Sequence, residues 1–181
     1  MTTSHILLLR GINVGAHNRI AMAALREMLT GLGFGAVRTL LNSGNAVLTA
    51  DTDDPGEVAW AVERAIDHTF GLSIRTVVRS RAQIERVIAR NPMPEQAEEA
   101  PKLFHVGFRD RPLAPDALTV INQEELAPER AVLDGDTLYL WFAGGVQNSA
   151  LAKALHRHRL DQDVTMRNWN TVGKLLELAA P

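Results

Sequence analysis

Apolar positions along this chain repeat at two different periods, and the alternation between them predicts mixed α and β structure. The run "HILLLR" (His5–Arg10) is apolar between its polar ends, so it predicts a strand covered on both faces. Met22, Leu25, Leu29 and Leu32 then recur at helical spacing, with Gly33 placed to end the helix. "VRTLLN" and "NAVLTA" flank Ser43–Gly44 as a hairpin. Asp54, Pro55 and Glu57 supply an N-cap, a first helical position and a capping-box partner for a second helix, whose buried stripe is Val58, Val62, Ala65 and Ile66. "LSIRTVVR" (Leu72–Arg79) alternates as a half-buried edge strand does. The order is β-α-β-β-α-β, the ferredoxin-like unit.

Ser80 and Gln83 form a capping box for a short helix through Arg90, and the proline- and glutamate-rich "NPMPEQAEEAP" after it reads as a linker. The expected division is a ferredoxin-like half over 1–90, a linker over 91–101, and a second half with a C-terminal helix over 102–181. In that second half "KLFHVGF" is a strand, Pro115 to Gln123 a helix, and "RAVL-DGD-TLYLWF" a hairpin around Asp134–Gly135. A helix from Asn148 to His158, a strand at "DVTMR" and a helix from Trp169 to Leu178 complete the plan, the last burying Trp169, Val172, Leu175 and Leu176. The expected fold is therefore α+β, with two ferredoxin-like β-α-β-β-α-β halves in tandem. A first strand apolar on both sides suggests that each half helps to cover the other.

Composition narrows the chemistry. With 181 residues, 46% of them hydrophobic and 22% charged, the chain suits a globular fold, and no apolar run reaches membrane-spanning length. The N-terminus lacks the features of a signal peptide, so a cytoplasmic location is expected. Cysteine is absent, which excludes disulfides, thiolate nucleophiles and cysteine-ligated metals. Net charge is −2, which argues against strong nonspecific nucleic-acid binding. The halves differ, however. Residues 1–90 carry ten arginines and no lysine against eight acids, and residues 91–181 carry nine bases against thirteen acids. The excess of arginine fits bidentate anion recognition, although a GC-rich coding sequence gives the same bias.

Four acid-free blocks rich in Arg, Asn, Gly, Ser and Thr stand out: "RGINVG" with "HNR" (Arg10–Arg19), "LNSGN" (Leu41–Asn45), "GGVQNS" (Gly144–Ser149) and "MRNWNT" (Met166–Thr171). Gly11 and Gly15 bracket a strand-to-helix loop whose amides could converge on an anion beside Arg10, Asn13 and Arg19. The loop matches neither the Walker nor the dinucleotide fingerprint. A tight connection in which Asn18 caps the helix would use the same residues. Asn45 closes a hairpin tip in which Ser43 lacks a base fixed beside it. Asn168 or Asn170 caps the last helix next to Arg167, and Asn148 or Ser149 caps the one before. His17 is the one histidine inside a polar block. The "HRHR" run (His156–Arg159) has an i, i+2 histidine spacing that does not share a helical face, and no metal constellation is visible. On the second hairpin, Tyr139 and Trp141 point opposite to Leu138, Leu140 and Phe142. That face could stack bases, but the glycine-aromatic pattern of an RNA-recognition sheet is missing, and packing between the halves fits better.

"LLRGINVG", "AMAALREMLTGLGF", "VRTLLNSGNAVL" and "RNWNTVGKLLEL" together resemble the signature blocks of the bacterial family called domain of unknown function 1697. The resemblance spans nearly the whole chain and implies two ferredoxin-like halves in tandem. That family usually has Gln where Asn42 stands and a second Gly where Ala16 stands, and the resemblance supplies no reaction.

The leading expectation is a binding protein for a phosphate-bearing, nucleotide-sized or otherwise anionic ligand. Its contacts would be Arg10, Asn13, His17, Arg19, Asn45, Arg167, Asn168 and Asn170. No cofactor or metal is implied, no membrane association is expected, and the chain would be a monomer or weak homodimer. Two alternatives use the same residues: an enzyme stabilising an oxyanion or phosphoryl group with help from His17, and a structural or protein-interaction module locked by these blocks.

Overall fold

In the computed structural model, which describes residues 2–179, the run of apolar residues near the start becomes β1 (Thr3–Leu9), with Ile6 to Leu9 fully buried. α1 (Met22–Gly31) buries Leu25, Met28 and Leu29. β2 (Gly35–Leu40) and β3 (Asn45–Ala50) form the first hairpin. α2 (Pro55–Phe70) follows, and its buried face is Val58, Val62 and Ile66. Asp54 caps it by accepting from the Gly56 amide at 2.7 Å. Glu57 does not return to the cap residue; its carboxylate accepts from the Thr52 hydroxyl, which itself accepts from the Asp54 amide. Gly71, in the left-handed region, ends the helix by donating to the Asp67 carbonyl, a conformation that favours glycine.

β4 is shorter and deeper than its alternation predicts. It begins at Thr76 and ends at Ser80, and Thr76, Val77, Val78 and Arg79 are all buried, so both of its faces are covered although it is an edge strand. The sheet order is β2-β3-β1-β4 with antiparallel neighbours, Leu7 lying opposite both Ala46 and Val78. One face carries Leu7, Leu9 and Leu48 against Leu25, Leu29, Val62 and Ile66 of the two helices. That is the ferredoxin-like arrangement.

α3 (Arg81–Ala89) starts with the reciprocal capping box expected of Ser80 and Gln83: the Gln83 amide donates to Ser80 Oγ at 3.2 Å, and the Ser80 amide donates to Gln83 Oε1 at 2.8 Å. The stretch with linker-like composition holds a further helix, α4 (Pro94–Glu99), and buries Met93 and Ala97. Proline at its first position suits a helix start, which composition alone did not reveal.

β5 (Phe104–Phe108), β6 (Arg130–Asp134), β7 (Thr137–Trp141) and β8 (Thr165–Asn168) build a second antiparallel sheet in the order β6-β7-β5-β8. Gly135, with φ +61°, makes the β6–β7 turn. The helix expected over Pro115 to Gln123 is absent. Only a four-residue 3₁₀ turn, Ala117–Val120, forms there, in a segment punctuated by Pro112, Pro115 and Pro128. Ile121, with Leu113, Leu118 and Leu126, nevertheless packs on the sheet core of Leu138, Leu140 and Phe142. α5 (Ala150–Arg157) follows a short 3₁₀ turn, Val146–Asn148, so it starts two residues later than the periodicity indicated. α6 (Trp169–Leu178) has the bounds expected, but Trp169 is half-buried, its ring edge-on to Phe104 at 5.4 Å. On the opposite sheet face Phe104, Val106, Phe108 and Tyr139 are buried, and the Tyr139 hydroxyl donates to the Val87 carbonyl at 2.8 Å. Burial pushes that phenol up to about 12. These rings are therefore closed to stacking by bases.

The chain divides into two compact units, one of residues 1–86 with 174–181 and one of residues 87–173. The end of α6 is bound within the first: Arg81 donates to the Leu176 carbonyl at 2.9 Å, and Ser4 to the Ala179 carbonyl at 3.4 Å.

Candidate functional site

The loop between β1 and α1 is shaped by backbone that ordinary residues avoid. Gly11, Asn13, Gly15 and Asn18 all have φ between +50° and +66°, a region open to glycine and next most readily to asparagine. The asparagine side chains hold this path in place. Asn18 Nδ2 donates to the Gly11 carbonyl at 3.1 Å, and the Asn13 amide donates to the Asn18 carbonyl at 3.0 Å. Asn13 Oδ1 accepts from the Ile20 amide at 3.0 Å, while its Nδ2 donates to the carbonyls of Ile20 at 2.9 Å and Asn42 at 2.7 Å. The last bond ties the loop to the tip of the β2–β3 hairpin. Gly44 completes the junction: its φ is +84°, and a Cβ there would lie 2.7 Å from Ile12 Cδ1.

Around this junction lies a shallow cavity of about 460 Å³ lined by Asn13, Arg19, Ile20, Ala21 and Asn42. It adjoins the N-terminus of α1. Ala21 occupies the N-cap position and supplies no side-chain hydrogen bond, and no acidic residue stands in the first turn. The first intrahelical bond runs from the Leu25 amide to the Ala21 carbonyl, so the amides before it have no intrahelical acceptor. The other helices of eight or more residues have side-chain acceptors there: Asp54 for α2, Ser80 for α3, Ser149 for α5 and Asn168 for α6. At α5 the Glu129 carboxylate adds a second acceptor, taking the Leu151 amide at 2.9 Å. α1 alone among these combines an uncapped terminus with an adjoining cationic side chain, Arg19, which is exposed.

The residues anticipated from sequence fall into distinct environments. Asn13 and Arg19 line the cavity. Asn45 is fully buried and donates to the Leu40 carbonyl at 2.8 Å and Ser43 Oγ at 3.0 Å, bracing the hairpin from within. Arg10 is half-buried, its amide donating to the Arg75 carbonyl. His17 is exposed, and its amide closes a small turn on the Val14 carbonyl. Asn18 serves the loop and leaves the helix uncapped. In the second unit Arg167 is buried, its guanidinium donating to the Met166 carbonyl at 2.8 Å, and burial pulls its pKa down to about 10. Asn168 is the α6 cap: its Oδ1 accepts from the Thr171 amide at 3.0 Å and hydroxyl at 2.9 Å, while Asn170 is exposed. Asn42 and Ala21 are the contributions that sequence reading did not select. The signal for Ala21 was negative, an alanine where a cap residue is usual. Among the described residues no three His, Asp or Glu side chains gather as metal ligands, and no helix is long and apolar enough to cross a membrane.

A family model described as "Protein of unknown function (DUF1697)" matches residues 1–139. Among solved structures, the chain is similar to the conserved bacterial protein SP0830 from Streptococcus pneumoniae, with 25% sequence identity and a TM-score of 0.77 over 99% of this chain and 100% of that one. Comparison with curated proteins finds no match.

Proposed function

The chain belongs to the family described as protein of unknown function DUF1697, and from that premise we propose that it binds a small phosphate-bearing or other anionic ligand at the N-terminus of α1. The observation that carries this reading is the uncapped first turn of α1 opening on the cavity that Arg19, Asn13 and Asn42 line. Free helix-terminal amides carry partial positive charge and point outward, and a guanidinium beside them adds a full charge and paired donors. A cavity of about 460 Å³ suits a sugar phosphate or mononucleotide in part contact with solvent. Arg19 supplies the charge in this reading, the α1 amides supply directed donors, and Asn13 positions the loop.

What supports binding as the reading is that the lining offers one cation, Arg19, beside helix-terminal amides, while His17 is exposed and does not line the cavity. The test is a thermal-shift series with inorganic phosphate, sugar phosphates, mononucleotides and short oligonucleotides at low ionic strength. A ligand that binds only the folded chain raises the melting temperature. A shift with a phosphate ester that Arg19→Ala removes supports the reading; no shift across the series refutes it.

A further inference from the structure

We propose that the groove between α1 and α2 is a self-complementary surface on which a second copy of this chain docks. The groove has a volume of about 810 Å³ and lies on the helical layer of the first unit. Ala24, Ala61 and Ala65 line it, small residues that let another helix approach closely. Trp60, 63% exposed, and Leu32, 43% exposed, line it as well, and both are large apolar groups that a monomer leaves wet. The Arg64 guanidinium lies 4.9 Å from the Trp60 ring centroid. Tryptophan and arginine are among the residue types that dominate binding energy at protein interfaces.

Charge selects the occupant. Glu27 on α1 and Arg64 on α2 both line the groove and both are exposed, and neither forms an ion pair among the described residues. A partner of one sign would satisfy one of them and oppose the other. A copy related by a twofold axis brings its own Arg64 to Glu27 and its own Glu27 to Arg64, satisfying both with one contact made twice. α1 has 10 residues and α2 has 16, so the two-helix face is roughly 15–24 Å long and covers about 400 Å² per copy. That is the low end for specific interfaces, so the dimer is weak and forms at high concentration.

Sedimentation of the full chain from about 1 to about 500 µM tests this. The mass should rise from one chain to two, while Trp60→Ala, Glu27→Arg and Arg64→Glu each remain monomeric at the top of the range. Because these side chains are exposed, circular dichroism should report unchanged folding. The double variant Glu27→Arg/Arg64→Glu restores both charge pairs with their signs exchanged and should dimerise again in part, weakened by the loss of the Arg64–Trp60 contact. A chain that stays monomeric throughout overturns the proposal and leaves the groove to another kind of partner. Dimers that survive the single charge reversals, or a double variant that stays monomeric, overturn it as well, since association would then use another surface.

Discussion

The two sheets have the same strand order, yet the connection from first to second strand is built in opposite ways. In the first unit β1 leads through an asparagine-held loop into the ten-residue α1. In the second, β5 leads into residues 109–129, which form one short 3₁₀ turn and pass through a cis Ala127–Pro128 bond. Both connections cover the same face of their sheet, α1 with Leu25 and Leu29, the irregular segment with Leu113, Leu118, Ile121 and Leu126. Strand order therefore does not depend on how the crossover is made. What matters is that apolar side chains reach the sheet and that the backbone finds hydrogen-bond partners. Beyond its uncapped first turn, α1 meets the second need internally. The irregular segment meets it through successive turns, the amides of Ala117, Ile121 and Glu129 donating to the carbonyls of Ala114, Leu118 and Leu126, and lends side chains to neighbouring backbone: Arg109 donates to the carbonyls of Leu160 and Gln162, Gln123 Oε1 accepts from the Ala131 amide, and Glu129 accepts at the start of α5.

Where the halves agree is equally informative. Arg79 lies opposite Ile6 in the first sheet and Arg167 opposite Val106 in the second, and each guanidinium donates to the carbonyl of the residue before it. Each arginine is followed at once by the residue that caps the next helix, Ser80 or Asn168. The stretches "VVRSRAQ" and "TMRNWNT" thus occupy the same place in the two halves.

Core truncation should separate the two crossovers most sharply. Leu25→Ala, in the fully buried face of α1, should cost about 3 kcal/mol, whereas Leu118→Ala, half-buried in the irregular segment, should cost about 1 kcal/mol, both read from urea unfolding. Equal costs would mean that the two segments are packed alike. Next in size, Arg109→Met should lose roughly 2–3 kcal/mol, because it leaves buried loop carbonyls without their charged donor. Asn13→Ala should lose about 2 kcal/mol, since three hydrogen bonds to Ile20 and Asn42 go with it; an unchanged unfolding midpoint would count against Asn13 as the lock of this loop.

Caps give smaller effects of opposite sign. Ser149→Ala should destabilise by about 1 kcal/mol, while Ala21→Asp should stabilise by a few tenths to about 1 kcal/mol, since Ala21 already has the extended backbone of a cap. The same Ala21→Asp change should abolish any phosphate-dependent thermal shift, because its carboxylate fills the place of the anion. A more stable variant that still binds phosphate would dissociate the α1 terminus from the site.

The smallest effect is expected from pH. Burial holds His105 below its ordinary value of 6.5, against the opposing hydrogen bond to the Leu103 carbonyl. The unfolded chain therefore takes up that proton first as pH falls. The contribution of neutral His105 is present above 6.5 and is lost as pH drops through the depressed value, and His105→Gln should flatten that part of the stability profile.

Much of this was open to inspection in the sequence. The β-α-β-β-α-β order of the first half, the α6 bounds, the Ser80–Gln83 box and the Asp134–Gly135 turn follow from local spacing and turn chemistry. The candidate site was legible only in part. The blocks "RGINVG" and "LNSGN" were conspicuous, but Asn45 and Asn42 are both asparagines of one hairpin tip, and only the folded chain separates the buried brace from the cavity wall.

By itself, the sequence determined most of the segments that become strands and helices, though not the helix Pro94–Glu99 or the irregular path through Pro115–Gln123, and that four asparagine- and arginine-rich blocks sit at their junctions. These are short-range properties, set by side-chain period, backbone preference and capping within a few residues. The tertiary structure decided the rest. It made Asn13 a lock by bringing residues 29 positions apart within 2.7 Å, buried Arg167, and left α1 without a cap beside Arg19. It also covered both faces of β4 and replaced a crossover helix with an irregular segment, because burial and hydrogen-bond satisfaction depend on neighbours far away in the chain.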